Sequence, residues 1–309
     1  MAMRFKPVDA SEIQTGTVRR RAYRLSVDDL ATMPDVIRPL EHFYRNLPRR
    51  GESARLLAAS ELLARTALDQ KPMLWAVDGT LFKAGLSPLV AQLIRRGLVG
   101  CLALNGEAAL LDYEIASHGG AWEDVRTGLN DGLHGLARET AEGILDIVNE
   151  GVKRGFSIGE CLGRGLLERR PPHAAVSMLV HAAARKTVAT IHMMLGAEGF
   201  HRYPGADGGL LGKGSLKDAH ILAHYLLNMP EGSVIVATHQ DSAFNQVLLN
   251  AYGLARNIKS NMGGFFLLYL GTTPHELDDL PGLQRIYDLN GPLEIMFPLL
   301  MGGLFSLVE

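Results

Sequence analysis

Three side chains able to move protons stand where predicted strands end. His192 lies near the end of the β-branched, apolar run 187–193, whereas His239 and Asp241 follow the run 233–238. The carboxyl ends of parallel strands share one edge of a sheet, and histidine exchanges protons near neutral pH. We therefore predict these three residues as candidate catalytic groups. The alternative for either histidine is a buried ring bonded to the backbone.

Two further strand ends carry glycine turns. The run 73–77 leads into Asp78, and the run 99–104 leads into Asn105 and Gly106. Backbone N–H groups of such a turn can approach a phosphate or a ribose, or the glycine can simply supply a tight turn. Asp78 can accept hydrogen bonds from ribose hydroxyls or an amine, or it can cap the following turn. The candidate binding residues in these turns are Asp78, Gly79, Thr80, Asn105 and Gly106.

A glycine-rich tract, residues 196–214, is predicted to be a long loop over the strand ends. Ser215 and Asp218 then have the spacing of a helix start, so we predict a helix from 215 to 229. Its N-terminus can bind an anion, or Ser215 and Asp218 can form a plain cap. Lys213 can meet a phosphate or remain a solvated side chain.

Composition excludes several classes of function. The 309 residues carry a net charge of -2 and 47% hydrophobic residues, so there is no basic face for a nucleic acid. Cys101 and Cys161 are the two cysteines, which predicts a reducing, cytoplasmic setting. His220 and His224 have a metal-binding spacing without an acidic partner, so no metal site is predicted. No apolar run is long enough to cross a membrane.

The elements that position these residues follow a strand, helix, strand order. We expect a doubly wound, mostly parallel Rossmann-like sheet with helices on both faces. Residues 122–135 are predicted to be a rim loop. An N-terminal arm and helical cover are predicted over residues 1–70, and one Rossmann-like domain over residues 71–309. The predicted strands are 73–77, 99–104, 187–193, 233–238 and 264–270.

The segments 79–116 and 207–227 resemble the deoxyhypusine synthase family, especially its bacterial branch. Gly85 stands in the turn before the crossover helix, and residues 214–218 match the family's Gly-Ser-Leu-x-Asp motif, which lies beside the cofactor and the polyamine. The resemblance implies a Rossmann-like α/β fold, NAD as cofactor, a homotetramer with sites shared between subunits, and a transferase acting on a polyamine. Gly85, Ser215 and Asp218 thereby join the candidate cofactor-binding residues.

The chain departs from that family at the catalytic lysine. The matching stretch, 238–245, has neither the glycines nor the lysine, and Ala243 cannot form a Schiff base. Leu110 and Leu111 stand where the family places polar groups. We therefore expect a protein that binds NAD and acts on a small amine or polyamine-type substrate without a lysine imine. The alternative is a non-catalytic ligand-binding or scaffold homologue.

Overall fold

The computed structural model describes residues 12–30, 42–44, 46–238, 241–272 and 275–308. A six-stranded sheet in the order β5-β3-β2-β6-β7-β8, with every neighbouring pair parallel, forms its centre. A separate antiparallel pair joins β1 to β4. The strands are β1 (Tyr23–Ser26), β2 (Met73–Val77), β3 (Val99–Asn105), β4 (Gly120–Glu123), β5 (Val188–His192), β6 (Ser233–Ala237), β7 (Phe265–Leu270) and β8 (Leu283–Leu289).

Helices cover both faces of this sheet because its strands are apolar on both sides. Trp75 packs on one face with Phe297, whereas its neighbour Ala76 packs on the other face with Leu222 and Phe244. Successive side chains of a strand point to opposite faces, which produces these two cores. The helices are α1 (Gly51–Leu68), α2 (Gly79–Lys83), α3 (Ser87–Arg95), α4 (Gly106–His118), α5 (Val125–Asn130), α6 (Arg138–Lys153), α7 (Ile158–Arg169), α8 (Met178–Arg185), α9 (Gly208–Leu227), α10 (Ser242–Ile258) and α11 (Leu293–Val308).

The strand order confirms the predicted doubly wound sheet. Numbered within the central sheet alone, the order is 3-2-1-4-5-6, in which the chain starts at β2, moves outward to β5, and returns to β6 on the other side of β2. This is the Rossmann order, and its topological switch point lies between β2 and β6. Ligands of such sheets bind in the crevice outside the carboxyl ends of the strands at that point.

Three local features differ from the sequence analysis: two predictions are wrong and one strand was missed. The region 122–135 contains the end of β4 and the helix α5 in addition to turns, and β8 was not predicted. The third concerns the glycine-rich tract, where α9 begins at Gly208 and not at Ser215. Among the described residues no helix has the length and apolar character needed to cross a bilayer.

Candidate functional site

The switch point brings the ends of β2 and β6 side by side. Ala76 pairs in register with Ala237, and the N–H of Thr238 donates to the Ala76 carbonyl over 3.0 Å. Asp78 follows immediately and is 4% exposed; its Oδ1 accepts from the N–H of Thr80 over 2.9 Å. Asp78 thus caps α2, which is one of its two predicted roles, at the edge where the fold places ligands.

The two glycine turns touch each other at this edge. A Cβ at Gly79 would lie 2.3 Å from Oε2 of Glu107, the second residue of α4. The other oxygen of Glu107 is 2.6 Å from Nζ of Lys83 on α2. The turn after β2 and the turn after β3 therefore form one continuous surface, as the sequence predicts for the carboxyl ends of neighbouring parallel strands.

Asn105 and Gly106 start α4. Oδ1 of Asn105 accepts from the N–H of Ala108 over 2.9 Å, so the amide caps the helix. The N–H of Gly106 donates to Oε2 of Glu198 over 2.9 Å. Sequence reasoning missed Glu198, although it is the single acid in the first part of the glycine-rich tract. The start of α4 is thus closed by a carboxylate from a segment 92 residues away.

Glu198 is an unusual carboxylate. Its pKa is raised to about 7, mainly by burial and to a smaller extent by the nearby charge of Glu107, against the lowering effect of backbone N–H groups that include Met194 and Gly106. The Met194 N–H donates to Oε2 over 3.1 Å, whereas the buried Oε1 has no hydrogen-bond partner among the described residues. Glu198 therefore takes up a proton at a higher pH than an exposed glutamate does.

His192 ends β5, beside Asn105 in the sheet. It is 3% exposed; Nε2 lies 2.9 Å from Oγ1 of Thr190, and burial lowers the pKa to about 3. The ring lines a cavity of about 440 Å³ between α9 and α10 that also contains Ser215 and Asn250. His192 is therefore neutral near pH 7 and is suited to hydrogen bonding more than to taking up a proton.

The other candidate catalytic residues follow β6. Asp241 is half-buried and caps α10, because its Oδ1 accepts from the N–H of Ala243 over 2.8 Å. His239 lies outside the described residues. The structure thus places Asp241 at the same edge as Asp78, on the opposite side of the switch point.

Ser215 and Asp218 lie inside α9, not at its start. Asp207 caps this helix by accepting from the N–H groups of Gly209 and Leu210 over 2.8 and 3.0 Å. The serine accepts from the Met193 N–H over 3.0 Å at the end of β5. Both motif residues therefore fix neighbouring backbone, and the predicted helix start at Ser215 is wrong because the glycines before it are themselves helical.

Asp218 holds the start of a second helix. Its Oδ2 accepts from the N–H of Gly159 in α7 over 3.1 Å, and the residue is fully buried. Burial raises the pKa to about 7, while the hydrogen bonds that the carboxylate accepts lower it. A Cβ at Gly214 would lie 2.8 Å from Ile158, so glycine is required there for α9 to pack against α7.

The remaining predicted residues lie apart from the switch point or on the surface. Gly85 has a φ of +73° at the junction of α2 and α3, where a Cβ would lie 2.9 Å from the Asp29 carbonyl oxygen. The packing of residues 27–30 therefore explains why position 85 is a glycine. Lys213 is exposed on α9. Within the part of the chain that the structure describes, no group of three metal-ligating side chains is close enough to hold a metal ion.

Strand order and glycine turns define a Rossmann-like α/β protein. No family model and no curated protein matches the chain. A candidate deoxyhypusine synthase from Entamoeba histolytica is 12% identical over 89% of this chain and 97% of that chain, with a TM-score of 0.50. ArgZ, a cyanobacterial arginine dihydrolase, is 14% identical over 83% of this chain with a TM-score of 0.53. AgrE, solved with ornithine and NAD+, is 12% identical over 90% of this chain with a TM-score of 0.52.

The extent of these likenesses differs. The chain spans about a third of ArgZ and AgrE, 32% and 34% of their lengths, but nearly all of the Entamoeba protein. At such identities the likeness establishes a shared fold. The fold that the sequence resemblance implied, that of deoxyhypusine synthase, is thereby confirmed.

Proposed function

We propose that the protein binds NAD at the switch point and acts on a small amine-type substrate without a lysine imine. The observation that carries the proposal is the 3-2-1-4-5-6 strand order with glycine turns after β2 and β3 at one edge. In this topology each half-sheet binds one mononucleotide of a dinucleotide. AgrE, which shares the fold, was solved with NAD+ and with ornithine, a small amine.

The chain's own residues can serve this chemistry in distinct ways. Asp78 and the Asn105 turn would hold ribose or phosphate oxygens, and Asp241 and His239 would move protons. Bound NAD would accept a hydride from the amine carbon, and the amine nitrogen would lose a proton, giving NADH and a free imine. Because Ala243 stands in place of the lysine, that imine would be hydrolysed or captured by a second free amine.

Ser215 and Asp218 stay in the proposal as positioning residues. Ser215 holds Met193 beside His192, and Asp218 holds the start of α7, so both would act through the backbone next to the site.

The homotetramer also stays a proposal. Exposed leucines on and near α9 and α10 support it, since apolar side chains at a surface favour subunit contacts. These are Leu195, Leu216 and Leu254.

A non-catalytic homologue is the second candidate. Two observations favour it: the lysine is absent, and the side chains of Ser215 and Asp218 already accept backbone N–H groups of the chain itself, those of Met193 and Gly159. In this version the protein keeps the fold and the assembly and binds a ligand or partner without turnover.

Calorimetry with NAD, followed by NADH absorbance after adding ornithine or spermidine, tests the proposal. Asp78→Asn keeps a capping oxygen but removes the charge, so we expect NAD to bind more weakly by roughly tenfold if the carboxylate holds a ribose. Asp207→Asn is the matched control, since Asp207 caps α9 in the same way. No NAD binding by the wild-type protein excludes the NAD-dependent enzyme, whereas NADH formation excludes the non-catalytic version.

A further inference from the structure

Both glycine turns at the switch edge are covered by carboxylates of the chain itself. Glu107 lies where a Cβ of Gly79 would be, and Oε2 of Glu198 lies 2.3 Å from the position of a Cβ at Gly106. Glycine at such turns normally allows a ligand to approach the backbone. Here the space beside each glycine is taken by an acidic side chain.

Glu198 occupies the N–H groups that a ligand would use. Its Oε2 accepts from Gly106 over 2.9 Å at the start of α4, a helix of thirteen residues, and from Met194 over 3.1 Å. The first N–H groups of a helix and its dipole favour an anion at this place. Glu198 is 7% exposed, and its buried Oε1 lacks a partner among the described residues. The helix start thus already holds a carboxyl group that is incompletely bonded.

The hydrogen bonds to Glu198 also hold residues 193–207 against the sheet. Residues 193–207 connect β5 to α9, and the bonds from Gly106 and Met194 to one carboxylate oxygen join that segment to the end of β3. A ligand oxygen cannot reach the Gly106 N–H while Oε2 lies there. The segment has to shift before the turn can bind anything else.

We propose that the carboxyl group of Glu198 closes the start of α4, and that a dinucleotide binds there with its phosphate in place of this carboxyl group. The proposal rests on NAD binding at the switch edge and adds the residue that controls access to it. Glu198 is a positioning residue in this account: it is displaced by the ligand and does not react with it.

The charges around Glu198 make its release dependent on pH. The charge of the Glu107 side chain raises the pKa of Glu198, whereas the Glu107 backbone N–H lowers it; the Glu107 carboxylate is itself paired with Lys83 of α2. The segment's own His201 accepts from the N–H of Gly196 over 3.0 Å, and His192 of β5 is neutral near pH 7. Arg202, beside His201, is the cation of this segment. Glu107 is thus the charged group that acts on Glu198 most directly.

The direction of this pH dependence follows from the pKa of Glu198. In the closed state, in which Oε2 accepts from the Gly106 N–H, that pKa is about 7, which is higher than that of an exposed glutamate. A raised pKa means that the proton stabilises the closed state, so closure is strongest at low pH and weakens as the pH rises through about 7. We therefore expect phosphate-bearing ligands to bind more tightly as the pH rises from about 5.5 to about 8, by about tenfold to about a hundredfold.

Two variants and two probes test this. Glu198→Ala removes this carboxyl group, so NAD+ and inorganic pyrophosphate should both bind at least about tenfold more tightly by calorimetry, and the amides of residues 193–207 should exchange faster with deuterium. Glu198→Gln imitates the protonated form, so its exchange and affinities should lose their pH dependence. Glu150→Ala, at an exposed ion pair on α6, is the control and should change nothing.

The outcomes separate this inference from the proposed function. If NAD+ binds to neither protein but pyrophosphate binds more tightly to Glu198→Ala, the NAD proposal fails and the inference stands. If both probes bind Glu198→Ala no better than wild type, the inference is overturned. Weaker NAD+ binding in both Glu198 variants also overturns it, because Glu198 would then be holding the ligand, for example at a ribose hydroxyl.

Discussion

Asp218 is predicted to destabilise the folded protein at neutral and higher pH. Its carboxylate is fully buried in α9, and burial raises the pKa from 3.8 to about 7. A carboxyl whose pKa is raised by folding binds its proton more tightly in the folded state. The folded protein is therefore most stable below pH 3.8, loses stability as the pH rises to about 7, and is constant above that with respect to this group.

The size of the effect follows from that pKa. At 1.36 kcal/mol for each pKa unit, the rise corresponds to at most about 4 kcal/mol of unfolding free energy. Asp218→Asn imitates the protonated acid and keeps an oxygen for the Gly159 N–H. We therefore expect it to match wild type below about pH 3.8, to be more stable by about 1–2 kcal/mol near pH 5, and to be more stable by about 2–4 kcal/mol at about pH 8. In a chain of this size that raises the Tm by about 3–6 °C.

Asp218→Ala separates charge from hydrogen bonding. It leaves the Gly159 N–H without its acceptor at every pH, which costs about 1–3 kcal/mol, and it leaves a small cavity. Thermal melts of both variants at about pH 5 and about pH 8, with the exposed Asp146→Asn as control, measure these differences. A loss of stability in Asp218→Asn that is larger at the higher pH would show that the buried charge is well compensated and would refute the reasoning.

Two further predictions concern buried ionisable groups. Arg21 bridges Glu114 and Glu123, and all three side chains are at most 8% exposed, so Arg21→Ala should lower the free energy of unfolding, measured by urea denaturation, by about 3–5 kcal/mol. Arg24→Ala, at a half-exposed ion pair, should lower it by less than about 1 kcal/mol, and equal losses in the two variants would contradict the burial argument. Because burial lowers the pKa of His192 to about 3, its ring proton signals in NMR should not move between about pH 5 and about pH 9, and a titration in that range would contradict its placement.

The sequence predicted five of the six parallel strands because each is a short apolar run buried on both faces. β8 was missed because Gln284, Arg285 and Asp288 interrupt its apolar residues. The other edge strand, β5, was predicted because its run 187–193 is β-branched and apolar, so the polar residues of β8 explain the miss. The strand order itself depends on contacts between distant segments and followed only from the structure.

At the site, hydrogen bonds between residues close in sequence were predictable, and those between distant residues were not. Asp78 and Asn105 cap the helices that follow them, because capping joins residues two or three apart. The same spacing at Ser215 and Asp218 indicated a helix start, but Asp218 bonds Gly159, which is 59 residues away. A side chain that caps another helix leaves no periodic signal in its own segment.

Gly106 shows what a turn glycine can and cannot indicate. A glycine at this turn indicates that another group approaches the backbone closely, and from the sequence we predicted a phosphate or a ribose as that group. The structure places Glu198 there, 2.9 Å from the Gly106 N–H. A nucleotide and an internal carboxylate require the same glycine, since both need the space of its missing Cβ and the same N–H group. The glycine is therefore compatible with both states, and the free energy needed to move Glu198 decides which one is populated at a given pH.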